Sequence, residues 1–162
     1  TGERPTTSPS VAGDLVFFTT VTEDGTKPYQ DFSSKLYAFT FLGGAAYDTN
    51  GDGKLSKTES PIVTTFAGRA SAPFIVDQHL WVADGHTQKF TKFDLTGRLL
   101  FSWGTFGAFP GGFWGVHQFH TDTEGNLYTA DVHVGRPQKF RPKKGANPAH
   151  IIGRYFPRAS TN

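Results

Sequence analysis

The segment HLWVADGHTQKFTKF (residues 79–93) is followed 47 residues later by a related segment, NLYTADVHVGRPQKF (residues 126–140). The two align without a gap and share six of fifteen residues, against about one identity expected from average residue usage. The identical pairs are Leu80/Leu127, Ala83/Ala130, Asp84/Asp131, His86/His133, Lys92/Lys139 and Phe93/Phe140. Self-similarity at a fixed period predicts a fold built from repeated units.

Short runs of β-branched and aromatic residues, separated by Gly, Pro, Asn and Asp, predict strands rather than helices throughout the chain. A third and looser copy of the unit, SPSVAGDLVFFTT (residues 8–20), begins the chain and is lengthened by two insertions. The predicted strands are Leu15–Thr20, Lys35–Phe41, Ile62–Phe66, Phe74–Val76, Leu80–Ala83, Phe90–Phe93, Leu99–Trp103, Gln118–Thr121, Leu127–Ala130, Gln138–Phe140 and Ile151–Tyr155.

Four short strands in each unit, repeated at this period, are typical of the four-stranded antiparallel blade of a β-propeller. We therefore expect an all-β fold in which residues 1–162 form a single, partial β-propeller domain. Its three blades are predicted at residues 8–67, 71–105 and 117–156.

The segments ADGHTQKFTKFDLTGRLLFSWG and DTEGNLYTADVHVGRPQKFRP resemble NHL repeats, and this resemblance covers residues 71–158. PGGFWGVHQFHTDTEGNLYTAD (residues 110–131) is similar to bacterial six-bladed NHL propellers, while the N-terminal copy resembles the pyrroloquinoline-quinone-type propeller repeat. Closed propellers have about four to eight blades. Three blades therefore imply that another chain, or a missing half, completes the ring, and that the blade faces are available to a protein partner.

The segment DTNGDGKLSKTE (residues 48–59) fits the twelve-residue EF-hand loop and predicts a Ca²⁺ site. Oxygen ligands at alternating positions suit a hard cation, and Gly53 permits the sharp turn. Pro61 leaves little room for an exiting helix, so we expect structural calcium in a loop inserted between the third and fourth strands of the first blade. The predicted ligands are Asp48, Asn50, Asp52, the Lys54 carbonyl, Ser56 and Glu59.

His117 opens the first predicted strand of its blade, where strands approach a propeller axis. NHL-type propellers include the peptidyl-hydroxyglycine amidating lyases, and this resemblance implies a channel metal, such as Zn²⁺, held by His at comparable positions. The preceding copy has Ala72 in that place, and zinc requires three or four ligands. A hydrogen-bonded structural histidine is the favoured interpretation, and a catalytic His117 is the alternative.

Two further features have competing interpretations. The aspartates of the repeated Asp84/His86 and Asp131/His133 pairs are expected to cap turns, with the histidines at the rim. The connector FGAFPGGFWG (residues 106–115) either packs between blades or lines a binding surface, and packing is favoured.

Composition limits the classes of function. The 162 residues contain no Cys, which excludes disulfides and thiol chemistry, and no apolar run is long enough for a membrane span. The absence of Met leads us to expect a mature product or an excised piece. Residues 132–162 carry seven basic and no acidic residues. This favours a solvated edge over an attractor of phosphates or acidic partners, and nucleic-acid binding is not expected.

These observations favour a non-catalytic, calcium-stabilised propeller that acts as a binding or assembly scaffold, secreted or periplasmic. Two alternatives remain open at this point. One is a metal-dependent lyase or oxidoreductase that uses a channel histidine, and the other is a structural subunit of a larger extracellular assembly.

Overall fold

The computed structural model describes residues 2–5, 7–23, 32–41, 44–47 and 59–152. Within these ranges the chain is all-β and forms three antiparallel sheets, and no sheet closes on itself. Among the described residues no helix is long and apolar enough to cross a membrane.

The first sheet, sheet 1, has a long central hairpin and shorter edge strands. Its register pairs Phe17 with Ala38 and Phe18 with Tyr37. The strands are β1 (Arg4–Pro5), β2 (Ser10–Ala12), β3 (Leu15–Glu23), β4 (Phe32–Thr40) and β5 (Ile62–Phe66). Both β1 and β2 pair with β3, so that they occupy different parts of the same edge.

The second and third sheets, sheet 2 and sheet 3, contain the two related segments. Sheet 2 is a four-stranded meander of β6 (Phe74–Val76), β7 (His79–Asp84), β8 (Lys89–Asp94) and β9 (Leu99–Trp103). Sheet 3 contains β10 (Val116–Thr121), β11 (Leu127–Asp131) and β12 (Arg136–Phe140). The predicted strands from Leu15 to Phe140 therefore match the structure closely, whereas β1 and β2 were not predicted.

Sheet 2 lies between the other two sheets, and the alternation of side chains along β7 shows why. Leu80 and Val82 belong to a core shared with Phe17, Leu36 and Phe66 of sheet 1. Since successive side chains of a strand point to opposite faces, the residues between them face the other way.

The opposite face of β7 builds a second core with sheet 3. Trp81 and Ala83 pack there with Leu127 and Val116, and Phe90 of β8 is fully buried among Trp103, Phe113 and Phe119. Sheet 2 is thus buried on both faces, whereas sheets 1 and 3 each contribute one described face to a core.

The predicted last strand, Ile151–Tyr155, is wrong in its described part. Pro148–His150 form a 3-10 turn whose N-cap is Asn147, and Ile151 and Ile152 lie outside any strand. Pro148 cannot donate to a sheet ladder, so this position favours a helical turn. Residues 153–155 lie outside the described residues.

The 3-10 turn is fastened to sheet 2 rather than to β12. Lys92 Nζ donates to the Ala149 carbonyl at 2.8 Å, and its ammonium lies 5.4 Å from the ring centre of Trp81. Burial lowers the pKa of Lys92, while the charge of Asp77 acts in the opposite direction. The His150 ring stacks on Phe101 at 4.1 Å, and Ile152 joins the core between sheets 2 and 3.

We expect Phe90→Ala to lower the free energy of unfolding by about 3–5 kcal/mol, because it leaves a cavity in an aromatic core. Phe106→Ala is the matched control, since Phe106 is 59% exposed, and a change below about 0.5 kcal/mol is expected there. Urea denaturation of both variants measures the difference. Equal losses would contradict the two-core arrangement.

Candidate binding cleft

A cleft of about 550 Å³ opens where the first strands of sheets 2 and 3 approach each other beside the N-terminal segment. Residues with hydroxyl, imidazole, guanidinium and aromatic side chains line it, and the described lining residues include no carboxylate. The lining includes Arg69, Ser71, Phe74, His117, His120 and Thr129.

His117 occupies an irregular point in the sheet 3 ladder. Val116 pairs with Asp131 and Gln118 pairs with Ala130, so His117 is the extra residue of a β-bulge. Sheet 2 has the same irregularity, because Ala70 bridges to Asp84 while Phe74 pairs with Trp81, so that four steps along one segment face three along β7. Bulges redirect side chains and are common beside functional sites. In this register His117 corresponds to Ser71, so the sequence alignment of His117 with Ala72 was displaced by one residue.

The imidazole of His117 is exposed and makes no hydrogen bond to another described residue. Hence the expectation of a hydrogen-bonded structural histidine is not met in the described part of the chain. His120, also exposed, uses Nδ1 to contact the Thr121 carbonyl at 2.7 Å, which leaves Nε2 available to a ligand. No three His, Cys, Asp or Glu side chains cluster at metal-binding distance in the described ranges.

Aromatic rings provide an apolar wall next to these imidazoles. Phe74 of β6 contacts Phe119 edge-on with ring centres 5.6 Å apart, and its ring centre lies 5.0 Å from that of His120. Because the rings come from different sheets, this wall exists only when sheets 2 and 3 are stacked. A ligand in the cleft can therefore bury apolar surface as well as form polar contacts.

Arg69 supplies the one guanidinium among the described lining residues. Its Nη2 donates to Glu23 Oε1 at 3.2 Å, and its Cζ lies 4.3 Å from the ring centre of Phe32. Arg4 Nη2 donates to the same Glu23 oxygen at 2.5 Å. In the described part of the chain, one carboxylate therefore serves two guanidinium groups.

Buried hydroxyls join sheet 1 and β7 to the segment that precedes β6, which lines the cleft. Thr19 Oγ1 donates to the Ser71 carbonyl at 3.0 Å, and Ser71 Oγ accepts from the Ala83 amide at 2.9 Å. Ser34 Oγ similarly accepts from the Ala70 amide at 3.0 Å. Thr129, although only 3% exposed, has a hydroxyl without a hydrogen-bond partner, and it also lines the cleft.

The repeated aspartates have different roles in the two sheets. Asp84 caps its turn, as predicted, by accepting from the His86 amide at 2.9 Å and from the Thr87 hydroxyl at 2.6 Å. Asp131 instead has a fully buried side chain whose Oδ2 accepts from Gln138 Nε2 at 2.9 Å and lies 3.8 Å from Arg136 Nε. The turn-capping prediction is therefore wrong for Asp131.

The paired histidines have a shared packing role at exposed positions. A Cβ placed on Gly68 would lie 2.8 Å from the His86 Cβ, and one placed on Gly115 would lie 2.3 Å from the His133 Cδ2. Each histidine thus lies against a glycine eighteen residues earlier in the sequence. At Gly68 a side chain would overlap the His86 backbone, whereas Gly115 has a φ of +76°, a conformation that residues with a side chain rarely adopt.

The Phe/Gly-rich connector of residues 106–115 is held in place by β12. Arg136 donates to the carbonyls of Ala108, Phe109 and Gly112 at 2.5, 2.8 and 3.1 Å, and Gln138 Nε2 also donates to Gly112 at 2.8 Å. Phe113 is fully buried, which agrees with the packing interpretation. Exposed aromatic side chains accompany it at Phe106, Phe109 and Trp114.

The described basic residues of the C-terminal segment differ in their surroundings. Lys139 lies 4.9 Å from the ring centre of Tyr128 and 4.0 Å from Asp122 Oδ2. Several hydrogen bonds lower the pKa of Asp122 to about 2, and the one from the Asn126 side chain has the largest effect. Arg141 is exposed, as expected for a solvated edge, and Arg154 lies outside the described residues.

The predicted calcium loop lies outside the described residues except for its last position. Asp48, Asn50, Asp52, Lys54 and Ser56 are not described. Glu59 is described and is only 6% exposed. The calcium site therefore stays a prediction from the sequence.

Comparison with known proteins adds no assignment: no known protein-family model matches the chain, and no curated protein matches its sequence.

We expect Arg136→Ala to lower the free energy of unfolding by about 2–3 kcal/mol, because it releases three carbonyls and removes the cation beside buried Asp131. Arg136→Lys keeps the positive charge but lacks the planar guanidinium with its several N–H donors. It should therefore restore less than half of the stability lost in Arg136→Ala. Arg141→Ala is the exposed control and should be neutral in the same urea denaturation. Wild-type stability in either Arg136 variant would contradict this role.

Proposed function

We propose that this chain is a calcium-stabilised part of a β-propeller that acts as a binding and assembly scaffold. The observation that carries the proposal is the face-to-face stacking of three antiparallel sheets in sequence order, with sheet 2 buried on both sides. Successive propeller blades stack in this way around an axis. The 47-residue period of the two related segments supports the same interpretation.

The outer face of sheet 1 has the features of a surface on which another sheet packs. Phe18 stacks on Tyr37 and Phe39, with ring centres 5.3 and 5.8 Å away, and all three rings are partly exposed on the side opposite the core. Val11, on the neighbouring strand β2, is 53% exposed. An aromatic ladder of this kind is the type of surface that another sheet would cover.

Glu3 borders this aromatic ladder and organises its polar edge. Its carboxylate accepts from Lys35 Nζ at 2.6 Å, Thr20 Oγ1 at 2.6 Å and Tyr37 Oη at 2.5 Å. These hydrogen bonds, led by that from Lys35, lower the pKa of Glu3 to about 2. The edge therefore keeps its charge network at neutral pH, and the network weakens only as the pH falls from about 4.5 toward 2.

The proposed occupant of the sheet 1 face is another blade-like sheet, supplied by a second chain or by further sequence of a longer protein. We expect the 162-residue chain to be larger than 17.7 kDa by size-exclusion chromatography with light scattering. Phe18→Glu should shift it toward the monomer, because a charge cannot be buried in the aromatic contact. Leu99→Glu, at a residue 58% exposed on β9, is the matched control. A clean wild-type monomer would count against the proposal.

Calcium binding is proposed from the ligand pattern of residues 48–59. We expect a dissociation constant of about 10⁻⁴–10⁻³ M, as in extracellular modules, and a rise in melting temperature with millimolar Ca²⁺. Asp52→Ala and Glu59→Gln should each abolish the calorimetric heat and the thermal shift, whereas Asp14→Asn should preserve both. No heat and no shift with the wild-type chain would remove calcium from the proposal.

Together with calcium binding we propose a secreted or periplasmic location, because a calcium site of this affinity is occupied only where Ca²⁺ reaches millimolar concentrations.

A further inference from the structure

The cleft between sheets 2 and 3 has the chemistry of an anion site with an apolar wall. Its described lining contains Arg69, His117 and His120 but no carboxylate, and the aromatic rings of Phe74 and Phe119 lie beside them. The volume of about 550 Å³ is within the range of small-molecule sites. We propose that this cleft binds a small organic carboxylate with an apolar body.

Arg69 is the group that gives the cleft its charge preference. It shares Glu23 with Arg4, so among the described residues one carboxylate serves two guanidinium groups. A planar guanidinium retains further N–H donors when one of its nitrogens is occupied, and these suit a second carboxylate. Burial of a ligand carboxylate here replaces water with a charge-assisted hydrogen bond.

Three polar side chains of sheet 3 that line the same cleft have hydrogen-bonding groups without a partner in the described part of the chain. His117 stands on a bulge without a described hydrogen-bond partner, and His120 has only Nδ1 engaged. The Thr129 hydroxyl is buried and unpaired, although buried polar atoms are normally hydrogen-bonded. Unpaired groups of this kind, from two different strands of sheet 3, are consistent with a ligand as the missing partner.

The apolar wall decides between an organic carboxylate and a free inorganic anion. Phe74 and Phe119 meet edge-on across the boundary between the sheets, and the His120 ring extends the same surface. Inorganic phosphate would leave this wall in contact with water, whereas a ring or an aliphatic chain would cover it. The inference does not depend on calcium or on closure of a propeller, since every group named belongs to the described part of this chain.

The test uses benzoate as the probe, with benzyl alcohol as its neutral counterpart and inorganic phosphate as the anion without an apolar body. We expect benzoate to bind about tenfold more tightly than benzyl alcohol by isothermal titration calorimetry, and more tightly than phosphate. Raising the ionic strength should weaken benzoate selectively. In NMR spectra, the ring protons of His117 and His120 should shift, while those of His79 and His86, which do not line the cleft, should stay in place.

Arg69→Gln should weaken benzoate about five- to tenfold and leave benzyl alcohol unchanged. Arg98→Gln is the matched control, because Arg98 is also an exposed arginine paired with a carboxylate, Asp94, and does not line the cleft. Retained circular dichroism and melting temperature would verify that Arg69→Gln folds. The inference is overturned if benzoate fails to bind, if benzyl alcohol or phosphate binds equally well, or if Arg69→Gln has no effect.

Discussion

The fold depends on the burial of both faces of one small sheet. Sheet 2 presents Leu80 and Val82 to one core and Trp81 and Ala83 to the other, so it is stable only between two neighbours. This two-sided burial determines where the strands of sheets 1 and 3 lie. It also creates the cleft, because the cleft walls belong to sheets that meet only through this stacking. The same constraint, applied to the aromatic outer face of sheet 1, is the physical basis for proposing a further sheet.

The strands were predictable because the signal for each is local. Alternating apolar residues between turn residues mark ten strands that the structure contains, and the two related segments form equivalent hairpins in sheets 2 and 3. The predicted strand at Ile151–Tyr155 had the same residue types but a different neighbourhood. Asn147 and Pro148 begin a 3-10 turn just before it, and Lys92 holds that turn against sheet 2 from 57 residues away in sequence. The propeller and its NHL resemblance remain interpretations, since the described sheets do not close.

The site was less predictable because it is assembled from distant segments. The sequence singled out His117, but it did not reveal that His117 lies at a register shift in the sheet 3 ladder or that Arg69 lines the same cleft. Asp84 and Asp131 illustrate the limit of a repeat alignment. Their cross-strand partners are Lys89 and Arg136, and only the latter can reach the connector carbonyls while remaining next to a buried carboxylate. Identical residues therefore acquired different roles through their unequal neighbours.

The contact between a histidine and a glycine eighteen residues earlier has an evolutionary consequence. Gly68 with His86 and Gly115 with His133 are separated by the same 47 residues as the sheets themselves. Each repeat therefore contains both the glycine and the histidine of this contact, which packs the segment before its first strand against the turn between its second and third strands. A duplication of one 47-residue stretch copies this glycine–histidine contact together with the strands. Such a protein can therefore gain whole repeats in which this contact is already present. The residues around the contact can still diverge, as those around Asp84 and Asp131 have done.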